Sequence, residues 1–91
     1  MNNTAEQIAA LNASILAKRV KIAHAETLVE NAAHRFEVLG SDTYIENGKT
    51  HFYPKGKAAL TRLRKRREAL SRLKQSIALD EARLSKIAAT L

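Results

Sequence analysis

The sequence contains no cysteine and no tryptophan, and its 91 residues include only two phenylalanines, two tyrosines, three glycines and one proline. The missing cysteine excludes disulfides, thiolate zinc sites and thiol nucleophiles. The apolar residues are therefore mainly Ala, Leu, Ile and Val. A chain this short with so few aromatic residues predicts a thin core, which a second copy of the chain would thicken.

Long apolar runs are also missing. No stretch approaches the roughly 20 apolar residues of a membrane-spanning helix. The first seven residues carry one acid and no base, which is unlike the basic start of a secretory signal. We therefore expect a cytoplasmic protein with no membrane as its partner. Binding of a basic amphipathic helix to anionic membranes is a weaker alternative, because the apolar face of that helix is already used in packing.

Two segments are predicted to be long helices because their apolar residues recur at a seven-residue spacing. The first, residues 4–39, contains no glycine or proline. The second, about residues 56–90, follows Pro54, which suits the first turn of a helix. The a and d positions are Ile8, Ile15, Ile22, Val29, Phe36 with Leu11, Ala25, Ala32, Leu39 in the first helix, and Leu63, Leu70, Ile77, Leu84, Leu91 with Ala59, Leu73, Ile87 in the second.

The connection, residues 40–55, contains the turn signal Asn47-Gly48. This dipeptide suits the positive φ angles of a type I′ turn, and β-forming residues flank it on both sides. We predict a β-hairpin over residues 43–52, with the face that carries Ile45 and Phe52 packed on the helix ends. A loop without regular pairing is the alternative. Because a folded connection cannot run back about 50 Å, the helices are predicted to be antiparallel.

These elements predict an all-α fold: a single domain over residues 1–91, built as a two-helix antiparallel coiled-coil hairpin with a β-hairpin tip. Apolar residues away from the seam indicate that the end remote from the tip self-associates, giving a homodimer in the form of a four-helix bundle. Capture of a partner protein there is the alternative. The residues expected at this contact are Leu16, Val20, Ala23, Leu79 and Ala82.

Charged residues predict the register of the two helices. When facing residue numbers sum to about 100, oppositely charged residues meet. A polar pair in an apolar seam is costly unless its members meet, so it selects one register. Chance alternation of surface charge is the alternative. The three predicted pairs are Lys18 with Asp80, Arg19 with Glu81, and Glu26 with Lys74.

The net charge of +7 is concentrated in residues 57–74, which carry eight bases and one acid. In the predicted register Arg62 faces Arg35, which is an unfavourable pair of like charges, and Arg66 occupies a d position, where an apolar residue would pack better. Both features lower stability in the segment where the charge is densest. We predict a binding site for an anionic partner; a solvated basic helix is the alternative. The residues expected to bind are Arg35, Tyr44, Lys49, His51, Tyr53, Lys57, Arg62, Arg64, Lys65, Arg66, Arg67, Arg72 and Lys74.

Two functions of different classes follow from this pattern. The first is a non-enzymatic module that binds nucleic-acid phosphates, with exposed aromatic rings available to unpaired bases. The second is a small adaptor or inhibitor, of the kind that phages and mobile elements encode, docked on an acidic face of a larger protein machine. No motif that reads a base sequence is present, so nucleic-acid binding should depend steeply on salt.

Catalysis and cofactor binding are not expected. The sequence has no glycine-rich phosphate loop and no convergent Ser/His/Asp set, and a two-helix rod offers no deep pocket. Glu30, His34 and Glu37 share a helical face, but a solvated histidine beside carboxylates explains them better than a metal site. We therefore expect no enzyme activity, cofactor, metal or small-molecule substrate.

Overall fold

The computed structural model describes residues 3–91, as two long helices joined by a β-hairpin. The described chain divides into two compact units: residues 3–24 with 71–91 form the first unit, and Ala25–Leu70 form the second. The helices pack antiparallel, so the predicted helical hairpin with its β-hairpin tip is confirmed. The elements are α1 (Thr4–Leu39), β1 (Thr43–Glu46), β2 (Lys49–Phe52) and α2 (Pro54–Ala89).

The seam of the first unit follows the predicted heptads. Ile15 and Ile77 are buried, and the other predicted a and d residues of this unit are at least half-buried, except Leu91. Leu91 was predicted in the seam and is exposed. The reason is that α2 ends at Ala89 and the residues after it form a turn. The heptad pattern therefore locates the core correctly but overestimates the length of α2 at its end.

The seam of the second unit is built on small residues. Ala32 and Ala59 are buried beside Leu63, and Gly56 in the first turn of α2 is buried as well. A Cβ on Gly56 would lie 2.8 Å from the carbonyl oxygen of Leu39. The start of α2 thus packs directly on the backbone at the end of α1, and only glycine leaves room for that contact.

The β-hairpin has the predicted register, with Tyr44 opposite His51 and Glu46 opposite Lys49. Asn47 and Gly48 at its turn have φ angles of 52° and 76°, the left-handed values that a type I′ turn requires.

One face of this hairpin differs from the prediction. Ile45 was expected to pack on the helix ends, but 76% of its surface is exposed. Phe52 does pack there, edge-to-face on Phe36 with ring centroids 5.5 Å apart. The difference follows from distance along the chain, because Phe52 lies two residues before α2 whereas Ile45 lies beside the turn.

α2 begins at Pro54, two residues before the predicted start. The proline ring fixes a helical φ angle and has no N–H that would need a partner in the first turn. The carbonyl of Tyr53 accepts a hydrogen bond from the N–H of Lys57 at 2.9 Å, which closes that turn. Neither α1 nor α2 is both long and apolar enough to cross a membrane.

Candidate functional site

The basic segment of α2 in the second unit lies on the surface. We call Arg62, Arg64, Lys65, Arg66 and Arg67 the α2 cation cluster; all of them are exposed. Within residues 3–91, none of these side chains forms a hydrogen bond or an ion pair with the protein. Because an α-helix turns once every 3.6 residues, their charges surround α2 and repel one another, and Glu68 is the single acid within residues 57–74.

An open groove of about 560 Å³ lies between α1 and α2 in the second unit. Arg35 of α1 and Arg62 of α2, which the predicted register places opposite each other, both line it. We call it the arginine groove. Its lining residues are Leu28, Asn31, Ala32, His34, Arg35, Val38, Leu39, Arg62 and Arg66.

Arg66 is a basic residue at a position of the helix seam where an apolar side chain would pack better. It occupies a d position, yet its side chain is exposed and lines the arginine groove, which Ala32 of α1 also lines. A long guanidinium side chain can leave a seam position and keep its charge in water. Neither Arg66 nor the short side chain of Ala32 fills the space that a leucine would occupy, so the groove stays open at this level.

Three aromatic rings cluster at the β-hairpin. Tyr44 stacks on His51 with centroids 5.3 Å apart and an angle of 22°, and Tyr53 lies 5.1 Å from Tyr44 at 50°. Tyr44 and Tyr53 keep part of their surface exposed. We call these three residues the aromatic cluster.

The aromatic cluster adjoins the α2 cation cluster. Tyr44 and Lys57 line one shallow depression, and Arg62 and Lys65 line the next. Both depressions include Thr61 and Ala58, so their linings overlap on α2. The aromatic rings and the guanidinium groups therefore lie on one continuous surface of the second unit.

Three of the predicted binding residues differ from the rest. Arg72 and Lys74 are exposed but belong to the first unit, and Arg72 already interacts with another group of the chain. Lys49 is exposed and sits opposite Glu46 in the hairpin. These residues are weaker candidates for anion binding than the α2 cation cluster.

A polar cluster in the first unit confirms the predicted register. Lys18 Nζ lies 2.7 Å from Asp80 Oδ2, and the hydroxyl of Ser14 donates to the same oxygen at 2.8 Å. The hydrogen bond from Lys18, then that from Ser14, holds the pKa of the Asp80 carboxyl below its ordinary value, although burial opposes the shift. Arg83 Nη1 lies 3.9 Å from Oδ1.

Ser14 was missed from the sequence, although it lies one turn before Lys18 on the same helix. The exposed Arg19–Glu81 pair, 3.3 Å apart, supports the same register. The third predicted pair, Glu26 with Lys74, stays a prediction.

In the described chain the histidines do not converge on one metal site, although His51 belongs to the aromatic cluster and His34 lines the arginine groove. His34 is exposed, with Nδ1 3.9 Å from the carboxylate of Glu37. Residues 3–91 contain no group of three His, Asp or Glu side chains that could hold a metal ion.

The apolar residues predicted for self-association are exposed in the first unit. Leu16, Val20 and Leu79 expose 66%, 68% and 60% of their surface. Ala23 and Ala82 are exposed as well. These exposed leucine and valine side chains form apolar surface that the association of two protein molecules would remove from water.

Comparison of the chain with protein-family models, with curated proteins and with solved structures finds no match.

Proposed function

We propose that the protein is a non-enzymatic nucleic-acid-binding module that holds phosphates on the α2 cation cluster. The observation that carries the proposal is a set of five neighbouring cations that are exposed and lack an acidic partner in the described chain. A polyanion would relieve their mutual repulsion and release its own counterions, which is the main source of sequence-independent affinity. Guanidinium groups in particular suit phosphate oxygens.

The aromatic cluster supports unpaired bases as a second contact. Tyr44 and Tyr53 keep exposed surface beside Lys57 and the α2 cation cluster. Stacking of a base on an aromatic ring contributes about 1–3 kcal/mol and requires a base that is not paired. Single-stranded DNA or RNA is therefore expected to bind more tightly than a duplex of the same length.

The binding test is a titration of fluorescently labelled single-stranded and duplex oligonucleotides at several salt concentrations. With about five phosphate contacts, the logarithm of the duplex association constant should fall by roughly 4.5 for each tenfold increase in salt. Absence of binding at low salt would contradict the proposal and leave an acidic protein surface as the anionic partner.

Matched variants separate this site from the general positive charge. Arg64→Gln with Lys65→Gln removes two cations from the α2 cation cluster, whereas Lys21→Gln with Lys86→Gln removes two exposed cations outside it. We expect the first variant to lose about tenfold in affinity and the second about twofold or less, because phosphate contacts act over short range. Equal losses would show that net charge, not this site, determines binding.

A second copy of the chain is the partner we propose for the exposed apolar residues of the first unit. Burial of Leu16, Val20 and Leu79 in a dimer would remove apolar surface from water. Each Å² removed stabilises the dimer by about 25 cal/mol. Sedimentation equilibrium over a concentration series should show a dimer. Leu16→Glu should shift it to monomer, whereas Asn12→Asp, which makes the same change in charge at a polar residue, should not. A wild-type monomer at high concentration would contradict dimerisation.

A further inference from the structure

We propose that the arginine groove binds an acidic amphipathic helix of a partner protein, with apolar side chains on its floor and carboxylates on its arginine rim. This binding activity goes beyond nucleic-acid binding, because it uses an apolar surface that phosphates do not need. All the residues involved belong to the second unit.

We call the apolar lining residues of the groove, Leu28, Ala32, Val38 and Leu39, its floor; the exposed polar residues Asn31 and His34 line it as well. Val38 exposes 61% of its surface, and Leu28 and Leu39 are half-buried around the buried Ala32. Phosphate groups gain nothing from such a floor, whereas leucine or phenylalanine side chains of a helix would bury themselves on it. The floor therefore favours a ligand that presents apolar side chains along one face.

The rim of the groove specifies the charge of that ligand. Arg35, Arg62 and Arg66 line it, and none of them has an ion-pair partner within residues 3–91. A guanidinium group is a planar fork that can bind both oxygens of a carboxylate. Glutamate or aspartate side chains beside the apolar residues of the ligand would thus separate the three like charges.

The length of the groove indicates the length of the ligand. On α1 its lining residues recur every three or four positions, from Leu28 through Ala32 and Arg35 to Leu39, which is one stripe of a helix. At 1.5 Å per residue, that stripe runs for about 16 Å, or three helical turns. An open groove of this form would leave much of a small molecule in water, whereas it matches one face of a short helix.

The groove shares Arg62 and Arg66 with the α2 cation cluster. A helix bound in the groove would cover these two arginines and occupy part of the surface that we propose for nucleic acid. Saturating peptide should therefore weaken nucleic-acid binding. Peptide binding can nevertheless be measured without nucleic acid, so the two proposals fail independently.

The probe for this site is a labelled synthetic peptide of about 14 residues, with leucine on one helical face and glutamate on both sides of it. Its control is a scrambled peptide of the same composition and charge. We expect the amphipathic peptide to bind the full chain at least about tenfold more tightly than the scrambled peptide. Equal affinity would overturn the proposal, because charge alone would then explain binding.

Two apolar-to-serine variants locate the contact. Val38→Ser changes the floor of the groove, and Ile45→Ser makes a comparable change at an exposed β-branched residue of the β-hairpin that does not line the groove. We expect Val38→Ser to weaken peptide binding about fivefold, as the loss of one partly buried apolar side chain predicts. Ile45→Ser should leave peptide binding unchanged, and neither variant should alter nucleic-acid affinity. An equal effect of the two variants, or none from Val38→Ser, would overturn the assignment of the groove.

Discussion

At the scale of single residues, Asp80 combines a charge with almost complete burial, since only 4% of its surface is exposed. A carboxylate in such a place is costly unless donors surround it. Lys18 and Ser14 both reach Oδ2, and the α1 register that brings them there is the one in which the apolar residues also meet. The cluster thus selects one alignment of the helices more than it strengthens their packing.

The depressed pKa of Asp80 predicts acid sensitivity. The folded pKa lies below the ordinary value of 3.8, so the ionised carboxylate stabilises the fold above about pH 4. As the pH falls below 3.8, the unfolded chain takes up the proton first, and this contribution is lost as the pH passes through the folded pKa. Urea unfolding from pH 6 to pH 2 should show the loss.

Variants identify the carboxylate responsible for this acid sensitivity. Asp80→Asn should be less stable than the wild type at pH 7 and should lose less of its stability on acidification. Asp42→Asn replaces an exposed carboxylate that has no ion-pair partner in the described chain, so it should keep the wild-type profile. A wild-type pH profile in Asp80→Asn would contradict this account of the cluster.

Reversal of one charge tests the register. Lys18→Glu should lower the melting temperature strongly, because two carboxylates would then meet where one is buried. Arg19→Glu at the neighbouring exposed pair should change the free energy of unfolding by about 1 kcal/mol or less. Adding Asp80→Lys to Lys18→Glu should restore stability only in part, because a lysine there repels Arg83. If Lys18→Glu is as stable as the wild type, the pair does not fix the register.

At the scale of elements, the contact between the start of α2 and the end of α1 depends on the absence of a side chain at Gly56. Alanine there would gain about 1 kcal/mol of helix propensity. Its Cβ, however, would lie 2.8 Å from the carbonyl oxygen of Leu39 and 3.1 Å from the Cα of Gly40, which are backbone atoms that cannot rotate away. Close packing therefore outweighs propensity at this position.

We predict that Gly56→Ala destabilises the protein by about 1–3 kcal/mol, the usual cost of overpacking. Chemical denaturation followed by circular dichroism measures it. Lys57→Ala, at the next residue of the same helix but exposed, should stay within about 0.5 kcal/mol of the wild type. A more stable Gly56→Ala variant would mean that the two helix ends are farther apart than described.

The β-hairpin depends on Phe52 for its attachment to α1. A two-stranded ribbon is marginally stable alone, and Ile45 contributes little contact because it is largely exposed. Phe52→Ala should therefore remove the amide-exchange protection of residues 43–52 and leave that of α1 and α2 in place, whereas Ile45→Ala should change neither. Loss of protection in the helices as well would show that the hairpin does not unfold separately.

At the scale of the whole molecule, the concentration of positive charge in one segment lowers stability. Residues 57–74 carry eight bases and one acid, which accounts for the whole net charge of +7. Repulsion between these like charges destabilises the fold. Salt screens the repulsion, and at 0.1 M exposed charges more than about 10 Å apart hardly interact. A sequence selected for stability alone would have placed acids among these bases.

Salt should consequently stabilise the protein while it weakens nucleic-acid binding. The melting temperature should rise between 0.05 and 0.5 M sodium chloride, because the ions screen repulsion in the α2 cation cluster. Arg64→Gln with Lys65→Gln should melt at a higher temperature than the wild type in low salt and respond less to added salt. A variant that melts lower in low salt would indicate that these cations stabilise the fold.

The sequence by itself determined the features that depend on local chemistry or on periodicity. Heptad spacing located both helices, the Asn47-Gly48 turn set the hairpin register, and complementary charges placed Lys18 against Asp80. The first two signals could be read in advance because each depends on residues a few positions apart or on one repeated spacing. The third could be read because one antiparallel register brings the opposite charges of the two helices together. The basic stretch of residues 57–74 is visible in the same way.

Only the tertiary structure decided which of these side chains meet and which stay open to water. It added Ser14 to Asp80, left Ile45 exposed, brought Gly56 against the end of α1 and gave the arginine groove its floor at Val38. Such features depend on how closely the helices approach each other and on which side chains fill the space between them. A periodic pattern specifies neither, because each of its repeats is equivalent.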